Sequence, residues 1–139
     1  MKIFLYFTGK PKDPHANAIA ADFLSRADRY TPCEMREIRP DRFDPWERHP
    51  AARKILLDPA GKATDSTAFS KVIANAEREG RDLVFVIGGH DGHPPGWTAR
   101  ADQLISLSAM TFPHELARAM LAEQIYRAFA ILRNYPYVR

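Results

Sequence analysis

The apolar positions of this chain fall into short unbroken runs separated by stretches where they recur every third or fourth residue, a rhythm that predicts strands and helices in turn. Lys2 to Thr8 is apolar and aromatic and stops at Gly9 and Pro11, which predicts a first strand. Asp13 followed by Pro14 has the form of an N-cap with proline at the first helical position, leading a helix through Ala18, Phe23, Leu24 and Ala27. A second strand is expected near Cys33 to Ile38. The stretch RPDRFDPWERHP holds three prolines in 12 residues and is expected to be an irregular loop or a broken helical turn. Lys54 to Leu57 reads as a third strand with Gly61 at its exit. Asp65 or Ser66 then caps a helix with Phe69, Val72, Ile73 and Ala76 on one stripe, closed by Gly80. DLVFVIGG is the clearest strand, because five apolar residues in succession imply burial on both faces, as in a central parallel strand. Gln103 to Leu107 gives a fifth strand. Thr111 is expected to cap a last helix running to about Arg133, with Pro113 and Glu115 in its first turn.

Strands alternating with helices predict an α/β fold, and 139 residues at 45% hydrophobic content suit a single domain over residues 1–139. No repeat or low-complexity segment interrupts it. The start, MKIFLYFTGKPKD, has only five consecutive apolar residues, too few for a signal peptide or a membrane span, so a cytoplasmic protein is expected. Cys33 is the sole cysteine, which excludes an internal disulfide and a cysteine-based zinc site and reads as a buried thiol. A net charge of +3 tolerates a polyanionic partner without demanding one. Its placement says more. Arg36 to Lys54 carries five Arg and one Lys against four acids, with Phe43, Trp46 and His49 between them, and YRAFAILRNYPYVR carries Arg127, Arg133, Arg139 and four aromatics. Cations interleaved with flat rings suit single-stranded nucleic acid, since phosphates take the charge and bases stack; the same pattern also describes a solvated surface with aromatic packing.

In open α/β sheets ligands sit beyond the carboxyl ends of the strands, which directs attention to LDPAGK, GGHDGHPPG and SLSAMTFPH. None of the three contains a Walker lysine, a GxGxxG or a triad. They offer glycines, small side chains and backbone groups, which suit a flat, mostly neutral ligand held by main-chain hydrogen bonds and apolar contacts. A side chain added at Gly89 is expected to intrude on such a ligand. His90, Asp91 and His93 could ligate a metal and support a hydrolase, but three ligands on one tight loop seldom converge, so a solvated turn is the expectation and no metal is assigned. His114 reads as packing or pocket wall, and Glu123 as a helical partner of Arg127.

GRDLVFVIGGHDG followed by SLSAMTFPHELARAMLAEQIYRAFAILRNYPY, with weaker likeness in MKIFLYFTGK and KILLDPAGK, resembles the large-subunit ribosomal RNA pseudouridine-N3 methyltransferases of the SPOUT class, the RlmH family. The resemblance implies a parallel-sheet α/β fold with a deep C-terminal trefoil knot, and S-adenosylmethionine held by those three loops. The residues matching the family's cofactor contacts are Leu57, Gly88, Gly89, Ser108, Ala109, Met110, Thr111, Phe112 and Pro113. It further implies a homodimer packed through the last helix, where Leu121, Ile125, Phe129 and Leu132 form a stripe widened by Leu116 and Met120, and a large-subunit ribosomal RNA substrate within an assembled ribosome. Arg127, Tyr137 and Arg139 are the expected RNA contacts. The chain departs from the family pattern in two places: Val138 and Tyr135 stand where histidines are usual, and the stretch between Ile38 and Ile55 is shorter. No general base is therefore assigned, and a non-catalytic RNA- or ribosome-binding relative stands as the alternative.

Overall fold

The computed structural model describes residues 1–137, and within them five strands form one parallel sheet. They are β1 (Ile3–Phe7), β2 (Cys33–Glu37), β3 (Arg53–Ala63), β4 (Leu83–Ile87) and β5 (Gln103–Ser106), lying in the order β2-β1-β4-β3-β5. Helices α1 (Pro14–Ala27), α2 (Pro45–Arg48), α3 (Ser66–Glu79) and α4 (Trp97–Arg100) fill the connections, and α5 (His114–Leu132) follows the last strand. The crossovers from β1 to β2 and from β3 to β4 step across the sheet in one direction, while those from β2 to β3 and from β4 to β5 step in the other. Parallel crossovers strongly favour one hand, so opposite steps need opposite faces. Accordingly α1 and α3 cover one face, and the short α2 and α4 lie on the other.

The two-residue period of a strand sorts side chains between these cores. Ile3, Leu5 and Phe7 of β1 with Leu83, Phe85 and Ile87 of β4 face α1, α3 and α5. Phe4, Tyr6, Val84 and Val86 face Ile38 and Trp97. Every residue of β1 and β4 is buried, which is why their sequences show no polar alternation. The caps are local and follow their chemistry. Asp13 accepts from the backbone of His15 and Ala16, Asp65 from that of Ala68, and Gly80 ends α3 at φ 67°. The proline-rich stretch holds one helical turn, α2, capped by Asp44.

Three elements differ from the sequence pattern. In α1, Ala18 is exposed and the buried face is Ala16, Ala20, Leu24 and Ala27, small residues that let α5 approach closely. Strand β3 does not leave the sheet after Leu57. Both Leu57 and Lys62 pair with Ile105, so the intervening residues bulge outward before the strand resumes. Thr111 caps nothing: α5 begins at His114 with Pro113 at its N-cap and no side-chain cap. Its Glu115 is turned instead onto the loop after β1.

Helix α5 packs between α1 and α3. Leu121, Ile125 and Phe129 are fully buried and Leu132 half-buried, with Tyr30 stacked on Phe129 at 5.5 Å between ring centroids. The stripe expected to meet a partner is thus largely spent inside this chain. What remains outside is Leu116 and Met120, 45% and 40% exposed.

The bulge of β3 depends on Gly61, where a Cβ would lie 2.8 Å from the backbone nitrogen of Ile105 and the carbonyl carbon of Leu104. Gly61→Ala is therefore expected to destabilise the fold by about 1–3 kcal/mol, read as a lower denaturation midpoint in urea with an unchanged slope.

Candidate functional site

A cavity of about 450 Å³ opens at the carboxyl ends of β3, β4 and β5, within the range of small-molecule sites. The bulge of β3 supplies Leu57, Asp58 and Pro59, the loop after β4 supplies Gly88 to His90, Gly92 and His93, and the loop after β5 supplies Ser106 to Ser108 and Met110 to Pro113. His114 and Ala117 complete the wall from α5. Of the positions singled out in the sequence, Leu57, Gly88, Gly89, Ser108, Met110, Thr111, Phe112 and Pro113 all line this cavity; Ala109 is exposed and lies off its wall.

The main chain shapes the site at close quarters. The loop after β4 folds back on itself, with Gly92 donating its N–H to the Gly89 carbonyl at 3.0 Å. A Cβ on Gly88 would lie 2.7 Å from the carbonyl carbon of Gly92. One on Gly89 would come within 2.9 Å of the Thr8 carbonyl oxygen. The clash at Gly89 is thus with the end of β1 rather than with whatever fills the cavity, and the Gly89 N–H donates to Thr8 Oγ1 at 2.8 Å. His93 lies 2.6 Å through Nε2 from the Leu57 carbonyl, which makes Nε2 the protonated nitrogen and joins the loop after β4 to β3. Its Nδ1 is buried and has no partner among the described residues. His90 and Asp91 are exposed on the turn, and among the described residues no three His, Cys, Asp or Glu side chains converge to hold a metal ion. In the loop after β5, Ser106 Oγ donates to the Ser108 carbonyl at 2.8 Å and Ser108 Oγ accepts from Met110 N at 3.0 Å. These hydroxyls set the curve of the loop.

A second set of contacts, with no local signature in the sequence, joins the loop after β1 to the start of α5. Glu115 Oε1 accepts from the backbone of Lys12 at 2.6 Å and of Asp13 at 3.1 Å, and from Asn17 Nδ2 at 2.9 Å. These donors hold the Glu115 carboxyl down to a pKa of about 2. Arg118, one turn on, is fully buried, donates to Asn17 Oδ1 and lies 3.4 Å from the ring centroid of Phe7. Among the described residues its Nε and Nη2 have no partner, and burial pushes its pKa down. The residues concerned are separated by about 100 positions in sequence, so only the fold brings them together.

The cation and aromatic clusters resolve mainly into packing. Trp46 packs edge-on against Trp97 at 5.5 Å and donates from Nε1 to the Arg100 carbonyl at 3.1 Å, while Arg36 lies over Phe43 at 4.9 Å. Arg127 pairs with Glu123 at 2.6 Å, and Tyr137 donates to the same carboxylate at 2.8 Å while packing against Tyr126 and Phe23. Val138 and Arg139 lie outside the described residues. Burial pushes the Cys33 thiol up to about 12, which disfavours the thiolate there.

Residues 1–137 match the family described as "Predicted SPOUT methyltransferase". A ribosomal RNA large subunit methyltransferase H from Solibacter usitatus is 76% identical over 139 residues, covering all of both chains. A protein of the same description from Sorangium cellulosum is 38% identical, with 99% of each chain covered. Among solved structures, a probable methyltransferase from Bordetella pertussis Tohama I superposes with a TM-score of 0.62 at 10% identity, covering 91% of this chain and 95% of that one. A putative methylase family protein from Neisseria gonorrhoeae gives 0.61 at 10% identity over 99% and 94%. At such identity the likeness is one of fold.

Because the Glu115 pKa is lowered on folding, its contribution to stability is present above its ordinary range near 4.5 and lost as pH falls toward 2. Glu115→Gln is expected to lower the melting temperature at pH 7 and to flatten the loss of stability between those two values, measured by thermal unfolding across the pH series.

Proposed function

The chain belongs to the SPOUT methyltransferase family, and on that footing we propose that it transfers a methyl group from S-adenosylmethionine to N3 of a pseudouridine in large-subunit ribosomal RNA. The observation that carries the reading is the cavity where the three loops meet, because its wall combines glycines, apolar side chains and small hydroxyls with Asp58 and three histidines. Such a wall fits a flat adenosyl group flanked by a charged sulfonium tail. Leu57, Gly88, Gly89, Ser108, Met110, Thr111, Phe112 and Pro113 would hold the donor, with Ala109 closing the loop from outside. When bound, the donor supplies a methyl group already activated by positive sulfur.

The chain's own contribution is then chiefly placement. Holding a ring nitrogen in line with that methyl, in a pocket closed to water, accounts for a large part of such a barrier. The nitrogen must also give up its proton, and Asp58, His90, His93 and His114 are the titratable side chains on the cavity wall. The relatives that match over the whole chain are described as methyltransferases and give the non-catalytic alternative no support. As part of the same proposal, the chain acts as a cytoplasmic, single-domain homodimer on assembled ribosomes, with Leu116 and Met120 at the subunit contact, the last helix threaded through a C-terminal knot, and Arg127, Tyr137 and Arg139 contacting RNA. Two facts support parts of it: those two apolar residues are exposed one turn apart on α5, and no helix among the described residues is long and apolar enough to cross a membrane.

Incubation with ribosomes and methyl-labelled S-adenosylmethionine tests the reading. Label is expected in large-subunit RNA, at N3 of a pseudouridine after nucleoside digestion, and saturable donor binding without transfer would remove the catalytic assignment. Truncation after Asn134 is expected to leave donor affinity within about twofold while lowering turnover roughly tenfold or more, a loss of about 1.4 kcal/mol of transition-state stabilisation.

A further inference from the structure

Several cations near the ends of the sheet are already engaged. Arg100 pairs with Asp44, Arg127 with Glu123, Arg133 with Glu77, and Arg39 and Arg42 flank Asp41. Lys10 and Lys12, on the loop between β1 and α1, are exposed, and among the described residues neither ammonium group has an ion-pair or hydrogen-bond partner. The loop stands at the cavity. Thr8, where it begins, accepts the N–H of Gly89 on the cavity wall, and Glu115, which grips Lys12 and Asp13 by their backbone, is the chain neighbour of His114, which also lines the cavity. The carboxylates of Asp13 and Glu115 are turned onto backbone N–H groups, Asp13 onto His15 and Ala16 and Glu115 onto the loop itself. The two ammonium groups are therefore the outward charge of this loop.

The loop is also held in shape before any partner arrives. Pro11 fixes the backbone between the lysines, and the Glu115 clamp fixes it at Lys12 and Asp13. Two residues apart in extended chain is at most about 7 Å, comparable to the spacing of successive phosphates on a strand. A pre-shaped loop loses little conformational entropy on binding a polyanion.

From these observations we propose that Lys10 and Lys12 form a phosphate-contacting rim that holds the RNA strand over the cavity, with the target nucleotide turned inward between the loop and the wall. The proposal rests on the methyltransferase reading above and adds the surface by which the RNA is gripped. It requires no base contact from this loop. Phosphate contacts position a strand without reading its sequence.

The test compares the full chain with Lys10→Ala/Lys12→Ala, Lys10→Arg/Lys12→Arg and, as a remote control, Lys71→Ala on the exposed side of α3. Ribosome binding is followed across a series of salt concentrations, methyl transfer is measured in parallel, and the affinity for S-adenosylhomocysteine is measured by calorimetry. The double alanine variant is expected to weaken ribosome binding roughly tenfold, to reduce the slope of log affinity against log salt by about 2, and to leave S-adenosylhomocysteine affinity unchanged. The arginine pair is expected to restore the slope, and Lys71→Ala to behave as the unaltered chain. An unchanged slope in the alanine pair, or an equal loss in Lys71→Ala, overturns the rim whether or not methyl transfer occurs. Conversely, a reduced slope in a chain that transfers no methyl supports the rim and removes the catalytic reading instead.

Discussion

Main chain lies against main chain at the carboxyl edge of the sheet, and the rest of the site follows from that closeness. Gly61 passes over the Leu104–Ile105 peptide, Gly88 touches the return of its own loop, and Gly89 abuts the Thr8 carbonyl. At each point a single methyl group would need space that backbone atoms occupy. Three connections of different length are thereby brought to one cavity, lined by glycines, small hydroxyls and apolar side chains with Asp58 and three histidines among them. A ligand held in this way is selected by shape and by fixed dipoles, which cost no rearrangement when it binds.

Beneath that edge, a carboxylate and a guanidinium do work that apolar packing could not. Glu115 satisfies donors of a loop that begins another helix, and Arg118 fills the space between α5 and β1 with its charge against the ring of Phe7. Burying a cation is expensive unless neighbours compensate, and here the compensation is partial: Asn17 accepts from Nη1, Glu115 lies at 4.0 Å, and two nitrogens have no partner among the described residues. Such an arrangement is poor at adding stability and good at fixing one geometry. It keeps the β1–α1 loop in register with the first turn of α5, where His114 lines the cavity.

The two faces of the sheet divide the remaining labour. One carries α1, α3 and α5 over a continuous core that includes the fully buried Phe85, Ile125 and Phe129. The other is covered by the short α2 and α4, joined by the Trp46–Trp97 contact and by the Arg100–Asp44 pair. Much of the positive charge and many of the rings that stand out in the sequence serve this packing. Charge not so used is what remains for a polyanionic partner.

Local chemistry was legible in the sequence wherever cause and effect lie within a few residues. The caps at Asp13 and Asp65, the stop at Gly80, the double-sided burial of β4 and the three loops that meet at the cavity all follow from short-range rules of turn, cap and periodicity. Their residues could be named before any contact was known, and the family resemblance in SLSAMTFPH and EQIYRA identified the ligand class. Other features were decided only by the tertiary structure, because they depend on partners far apart along the chain. A strand that appears to end at Leu57 continues past a bulge because Ile105 offers its backbone twice. Thr111 loses its capping role and Glu115 gains a clamping one because α5 starts against the loop after β1. The apolar stripe of α5 is covered from within because two helices on the same face leave a groove of its width. Periodicity states which face of an element is apolar; only the assembled sheet states what covers it, since burial is a property of neighbours and not of the residue itself.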